Sequence, residues 1–218
     1  MRDESFLQLS EIFYSIQGES SFAGYPCLFF RLAGCNLRCS YCDAKYTYEE
    51  PGSPTPLSTL LSEAARYPKA LIEITGGEPL LQEGVYPLMA GLLAAGRTVL
   101  LETNGSLSIK RVPRAVVKIL DLKCPDSTMA GKMDLANLDL LAPHDEIKFV
   151  VSSRADYDWA VTMIRDHCLA EKAKLILSPV LGRLAPALLA QWLLADALPA
   201  RLQLQLHTLL WPEKKRGA

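Results

Sequence analysis

Short, nearly unbroken apolar runs alternate along the chain with longer segments whose apolar positions recur at helical spacing. The runs fall at residues 26–32, 70–75, 97–103, 116–122, 145–151 and 174–178, and each suits a buried strand. Helical spacing occupies 57–67, with Thr55 or Ser58 as caps, then 84–95, 156–169 and the Leu- and Ala-rich 182–198. Two segments alternate with period two: 6–15 does so loosely and predicts a short N-terminal strand, whereas 202–207 does so strictly and predicts a half-exposed one. Ile16-Gln17-Gly18 reads as a turn, and 46–56, rich in proline and acids, reads as a loop.

Strands that alternate with helices imply parallel pairing through right-handed crossovers, with functional residues gathered at the C-terminal strand ends. The stretch between the third and fifth runs is too poor in helix for a complete eightfold barrel. The expected fold is therefore α/β: a partial, open barrel of about six parallel strands with fewer helices than strands. At 218 residues the chain fits one domain, 1–218, and it has no internal repeat or low-complexity segment.

Half the residues are hydrophobic and the formal net charge is −1, which disfavours nucleic-acid binding through a basic face and points to a small-molecule substrate. The longest apolar stretch, 184–199, is broken by Gln191 and Asp196 and is too short to span a bilayer, so no membrane role is expected. Met1-Arg2-Asp3-Glu4 has no apolar leader character, and the clustering of three of the six cysteines suits a reducing compartment, so the expected location is the cytoplasm. The charged tail Glu213-Lys214-Lys215-Arg216 reads as a solvated end.

Cys35, Cys39 and Cys42 follow C-x3-C-x2-C spacing, so one tight loop carries all three thiols. A 4Fe-4S cluster usually takes four thiolates and a structural zinc closes with four ligands. Three ligands leave an open coordination position, which points to chemistry. On spacing alone, a non-catalytic zinc module completed by His207 or another cysteine stays open. Arg31 interrupts an apolar strand, where a guanidinium requires a partner: an internal carboxylate or a ligand's. Glu102 interrupts another, and reads either as a strand-end salt bridge or as an acceptor for ligand hydroxyl or ammonium groups. Lys123 can meet a ligand carboxylate or solvent. Thr75 ends a strand at Gly76-Gly77, where paired glycines let backbone approach a ligand. Cys27, Cys124 and Cys168 receive no functional role.

The cysteine loop Cys35-Asn36-Leu37-Arg38-Cys39-Ser40-Tyr41-Cys42-Asp43 resembles that of the radical S-adenosylmethionine (SAM) enzymes. With Glu11 to Glu19, Phe30 to Leu37, Thr75-Gly76-Gly77-Glu78-Pro79 and Glu102-Thr103-Asn104-Gly105, the chain is similar to the 7-carboxy-7-deazaguanine synthase family, over a core of about 11–207 with a tail at 208–218. The resemblance implies a 4Fe-4S cluster on Cys35, Cys39 and Cys42 whose open iron is chelated by SAM. It assigns SAM contacts to Tyr41 and Asp43 beside the cluster, Gly77 and Glu78 in the glycine turn, Glu102, Asp121 and Lys123 at strand ends, and Ser178. Substrate contacts fall to Ile16, Gln17, Gly18, Arg31, Thr75 and His207.

The implied reaction abstracts hydrogen from C6 of 6-carboxy-5,6,7,8-tetrahydropterin, contracts the ring and releases ammonia, within queuosine and deazapurine biosynthesis. No protein acid-base pair is singled out as catalytic. A flavodoxin or ferredoxin electron donor and a homodimer are also implied. Three positions depart from the family: Ala44 replaces a Thr or Ser whose hydroxyl ligates Mg2+, Ser20 replaces Gly, and Thr208 stands where Lys often occurs. The nearest rival, a glycyl-radical enzyme activase acting on a protein partner, accounts less well for Ile16 to Glu19 and Arg31, which suit a small carboxylated substrate.

Overall fold

The computed structural model describes residues 5–214, 216 and 217. Met1, Arg2, Asp3 and Glu4, on which the leader reading rests, and Lys215 of the charged tail lie outside the described residues. The strands are β1 (Phe6–Ile16), β2 (Pro26–Leu32), β3 (Ser53–Pro56), β4 (Leu71–Gly76), β5 (Val99–Thr103), β6 (Val117–Leu122), β7 (Glu146–Val151), β8 (Lys174–Pro179) and β9 (Arg201–Leu202). They form one sheet in the order β3-β1-β2-β4-β5-β6-β7-β8-β9. From β2 to β9 every pairing is parallel, while β1 runs antiparallel to both β2 and β3. Among the described residues no pairing joins β3 to β9, so the barrel stays open.

The helices are α1 (Tyr46–Glu49), α2 (Leu57–Arg66), α3 (Val85–Ala94), α4 (Arg154–Asp166), α5 (Leu169–Lys172), α6 (Pro186–Ala195) and α7 (Leu206–Leu210). Parallel strands wound in chain order send successive crossovers to the same side of a sheet. The large core lies there, where Leu60 and Ala64 of α2, Leu88 and Leu92 of α3, and Tyr157, Ala160 and Ile164 of α4 pack on sheet residues such as Ile72, Leu101, Ile147 and Phe149. Between β6 and β7 the chain makes only 3-10 turns, which agrees with the helix-poor reading of that region. Among the described residues no helix is long and apolar enough to cross a membrane.

Four expectations on local structure are corrected. Residues 46–56 are not loop: they hold α1 and β3, and β3 pairs with the N-terminal half of β1 at the sheet's edge, the one place where Pro54 and Pro56 leave no interior ladder bond unmade. The strand expected at 202–207 ends at Leu202, because the Leu206 amide donates to the Gly18 carbonyl (3.0 Å) and turns the chain into α7. The helix expected at 156–169 begins two residues earlier, capped by the Ser153 side chain, and breaks at Cys168, whose φ of 51° is left-handed. The tail is not simply solvated: Arg216 pairs with Glu50 and its guanidinium lies 4.1 Å from the Tyr46 ring centre.

On the opposite face of the sheet, strand alternation sets up a gradient. Near the N-terminal strand ends, Leu100, Val117 and Ile119 form a small apolar cluster with Leu71 and Phe22, which comes from the segment after β1. Two residues further along their strands stand Glu73, Glu102 and Asp121. That segment after β1 is tied across the sheet: the Ser21 amide donates to Glu146 on β7 (3.0 Å), and Gln203 donates to the Ser20 carbonyl (3.2 Å). Ser20 adopts φ 64°, a conformation that favours glycine, and its hydroxyl accepts from the Phe22 amide at 3.1 Å. The hydroxyl fastens the turn that a glycine would leave free.

Candidate active site

A cavity of about 820 Å³ opens at the C-terminal ends of the strands, lined by Cys35, Cys39 and Cys42 on one side and by Gln17, Arg31 and His207 on another. The cysteine loop leaves β2 through Gly34, which has φ 90° and an amide bonded to the Thr47 carbonyl. Ser40 anchors its middle, donating from its amide to the Ser127 carbonyl (3.0 Å) and from its hydroxyl to the Asp126 carbonyl (2.6 Å). These bonds use backbone and serine alone, and all three thiols stay free and partly exposed. Asn104 donates to the Asn36 side chain (3.1 Å) and lies 3.8 Å from the Cys35 sulfur. Burial pushes the Cys39 and Cys42 thiols above their usual range.

Among the described residues no three His, Cys, Asp or Glu side chains close on a single ion. An iron-sulfur cluster does not require that, since its thiolates bind separate irons. The glycine turn gives a second test of fit. The Gly77 amide donates to the Leu32 carbonyl (3.1 Å) and the Glu78 amide to that of Gly34 (2.9 Å), so the turn lies directly against the root of the cysteine loop. A Cβ on Gly77 would collide with the Gly34 carbonyl and crowd Cys35. Only glycine allows this approach, which leaves the turn's backbone beside the thiols. Three free thiols at the rim of a cavity with a polar floor fit a cluster with a chelating small molecule beside it.

The floor is built from charges that strand alternation points inward. Lys148 on β7 pairs with Glu19 (2.8 Å) and with Glu102, and lies 3.7 Å from Asp121. Although burial works against its charge, Glu102, Glu19 and Asp121 hold Lys148 firmly protonated. For Glu102, burial favours the neutral acid, but Lys148 outweighs it and draws the carboxyl down to about 2. Lys123 bonds Asp121 at 2.7 Å, and Thr75 donates to Glu102 at 3.1 Å. Arg31 donates through Nε to Glu11 (2.7 Å), and the Tyr46 hydroxyl donates to the same carboxylate (2.8 Å). The two remaining guanidinium nitrogens of Arg31 take no protein acceptor among the described residues. Arg31 thus has an internal carboxylate on one edge and an open fork on the other.

The match to known proteins decides the family. Residues 31–167 match the model of the radical SAM superfamily. Over 220 aligned residues, covering all of both chains, the sequence is 46% identical to the 7-carboxy-7-deazaguanine synthase of Chlorobaculum tepidum. It is 45% identical to that of Koribacter versatilis, over 97% of this chain and all of the relative. The chain belongs to the 7-carboxy-7-deazaguanine synthase family of radical SAM proteins. Its fold is that of QueE from Escherichia coli, with a TM-score of 0.76 at 23% identity over 92% of this chain and 94% of the other.

For a radical SAM protein, the sequence-predicted positions separate into two groups. The cavity lining includes Tyr41, Asp43 and Ala44 of the cysteine loop, Gly77, and Glu102, Asp121 and Lys123 at the strand ends. It also includes Gln17, Gly18, Thr75 and His207. Gly18 has no side chain because a Cβ there would press on the His207 ring. Tyr41 is not loose: its hydroxyl donates to the Val150 carbonyl at 3.0 Å.

Ile16, Glu78 and Ser178 are not in the lining. Ile16 ends β1 opposite Pro26, and Ser178 donates to the Gln203 carbonyl (3.0 Å), holding the chain beyond β9. The buried Glu78 carboxylate accepts from the Leu80 amide (3.0 Å), the Thr103 hydroxyl (2.9 Å) and the Asn104 amide (2.7 Å), locking the tips of β4 and β5 together. Sequence reasoning used Glu19 and Asn104 only as members of motifs and gave Glu73 and Lys148 no role. For Glu73 and Lys148 the signal was present: Glu73 is the single charge of an apolar strand, as Arg31 and Glu102 are, and Lys148 stands between Ile147 and Phe149, two residues after Glu146.

Proposed function

We propose that this chain is a radical SAM lyase that converts 6-carboxy-5,6,7,8-tetrahydropterin to 7-carboxy-7-deazaguanine with release of ammonia. The observation that carries this reading is one cavity faced by both the three free thiols and the open fork of Arg31, in a chain 46% identical throughout to a protein named for that product. With the cluster and SAM bound, they supply a 5′-deoxyadenosyl radical, and the protein's task is to bind, orient and exclude water.

In this reading Cys35, Cys39 and Cys42 hold the cluster. The Gly77 backbone, Tyr41, Asp43, Glu102 and the Asp121–Lys123 pair face SAM. Arg31 takes the substrate carboxylate in the bidentate manner its planar fork favours. Gln17, Gly18, Thr75 and His207 complete the substrate side. The Thr75–Glu102 hydrogen bond couples the two sides, so a shift at one is felt at the other. Ile16, Glu78 and Ser178 serve as frame rather than contact. The same reading extends to a single domain over 1–218 and to a cytoplasmic homodimer reduced by flavodoxin or ferredoxin, on the strength of the family resemblance. Substrate deuterated at C6 tests it: deuterium should appear in the 5′-deoxyadenosine, and unlabelled 5′-deoxyadenosine beside intact substrate would overturn it.

Magnesium does not fit at position 44. A methyl group cannot ligate the ion, and the Ala44 carbonyl already accepts from the Thr47 hydroxyl (2.7 Å) and amide (3.0 Å). No step is therefore assigned to magnesium. Ala44→Thr restores a hydroxyl at the cavity wall and should make turnover rise with added Mg2+ more steeply than in the natural protein. Superimposable magnesium titrations of the two proteins would contradict this.

A further inference from the structure

Among the strand carboxylates of the cavity floor, Glu73, Glu102 and Asp121, Glu73 is the one that no cation reaches within ion-pair distance among the described residues. It stands on β4 two residues before Thr75, on the same face, and is 3% exposed. Among the described residues its only side-chain hydrogen bond is to Gln17, whose amide nitrogen donates to Oε2. The orientation of Gln17 is fixed independently, because its own carbonyl oxygen accepts from the Glu19 amide at 3.0 Å. Oε2 is therefore an acceptor, and Oε1 is left to carry any proton.

Every neighbouring element weighs on that proton. The segment after β1 presents Glu19, β2 presents the Cys27 thiol and Arg31, β5 presents Glu102, and β7 presents Lys148. Lys148 is already shared by Glu19, Glu102 and Asp121, and Arg31 is engaged by Glu11. Burial, then Glu102 and Glu19, push the Glu73 carboxyl well above the ordinary carboxylate range. The proposed substrate brings a further carboxylate into the same volume, which opposes ionisation still more.

From this geometry, and resting on the reaction proposed above, we infer that Glu73 is a specificity-determining residue that meets the substrate as a neutral acid. Its Oε1–H donates to a ring-nitrogen or carbonyl acceptor of the bound heterocycle. A ligand with a donor at that point leaves the site's own donor unmet, so the contact selects against it.

Glutamine reproduces this arrangement: its carbonyl can accept from Gln17 while its NH2 donates into the cavity. Leucine abolishes it. Glu73→Gln is expected to keep kcat/KM within about threefold of the natural protein at neutral pH, and Glu73→Leu to lose on the order of tenfold to a hundredfold. With rising pH the natural protein loses its donor as Glu73 ionises, so kcat/KM falls on the alkaline side; in Glu73→Gln that limb is absent.

Infrared difference spectroscopy reads the proton without turnover. The natural protein, before substrate is added, should show the carbonyl stretch of a protonated carboxylic acid, missing in Glu73→Gln and shifted by 6-carboxytetrahydropterin. Absence of that band, a band that substrate leaves in place, or a Glu73→Gln loss as large as that of Glu73→Leu overturns the inference. A natural protein that shows the band yet makes no 7-carboxy-7-deazaguanine refutes the proposed reaction, not the protonation.

Discussion

Cys39→Ala protein, reconstituted without air, should hold no stable cluster and should lose product formation by on the order of a thousandfold or more, equivalent to about 4 kcal/mol of barrier. Three thiolates are the full set the loop supplies, and two cannot fix a cluster with one iron left open to SAM. The apoprotein, by contrast, should unfold within about 0.5 kcal/mol of the natural one. The loop is held by the Ser40 amide and hydroxyl on the carbonyls of Ser127 and Asp126, and the Cys39 sulfur takes part in neither bond. Iron content with visible absorbance, mass spectrometry of the product, and urea unfolding of the apoprotein check the three parts separately. A Cys39→Ala protein that keeps its full cluster absorbance would remove Cys39 from the ligand set.

Lys148→Met carries the second large effect, and it falls on stability. Lys148 is shared by three inward-facing carboxylates, with ion-pair contacts to Glu19, Glu102 and Asp121. Its removal leaves buried negative charge without a partner, which costs about 3–5 kcal/mol at neutral pH. The pH dependence has a definite sign. Glu102 is held down to about 2 in the folded protein, against an ordinary value of 4.5, so its contribution is complete above 4.5 and is lost as pH falls towards 2. The variant lacks that contribution. Its deficit against the natural protein should be greatest near pH 7 and shrink below 4.5. Urea unfolding of both apoproteins across that range measures it, and a deficit that stays constant with pH would show that Lys148 acts through packing instead.

The parts of this molecule that were legible in the sequence are those in which local pattern and tertiary outcome agree. The six buried apolar runs became the six long parallel strands because a strand covered on both faces has no other way to be written. The three thiols were legible because all of them lie on one short loop. Long-range effects were not legible. Nothing in residues 46–56 announces that Pro54 and Pro56 belong to an edge strand, since the partner is the N-terminal half of β1. The alternation at 202–207 is a sound strand signal, yet Leu206 finds the Gly18 carbonyl before it finds a neighbouring strand.

Glu78 illustrates the converse. Its motif points to a ligand, but its carboxylate is consumed by Leu80, Thr103 and Asn104, and the turn serves the site by placing Gly77 against Gly34. Glu73 could have been found by the rule applied to Arg31, that a lone charge within an apolar strand requires a partner, and Lys148 by the same rule for a charge set between Ile147 and Phe149. The partners themselves come from β5, β6 and the segment after β1, and only the folded sheet brings them together.

The measurement that tests the central claim most directly is an anaerobic incubation of the reconstituted protein with SAM, a strong reductant and 6-carboxytetrahydropterin, followed by mass spectrometry. The account predicts 7-carboxy-7-deazaguanine, formed together with methionine and 5′-deoxyadenosine and absent with Cys39→Ala. Neither 7-carboxy-7-deazaguanine nor 5′-deoxyadenosine from a protein whose cluster is demonstrably intact would contradict it.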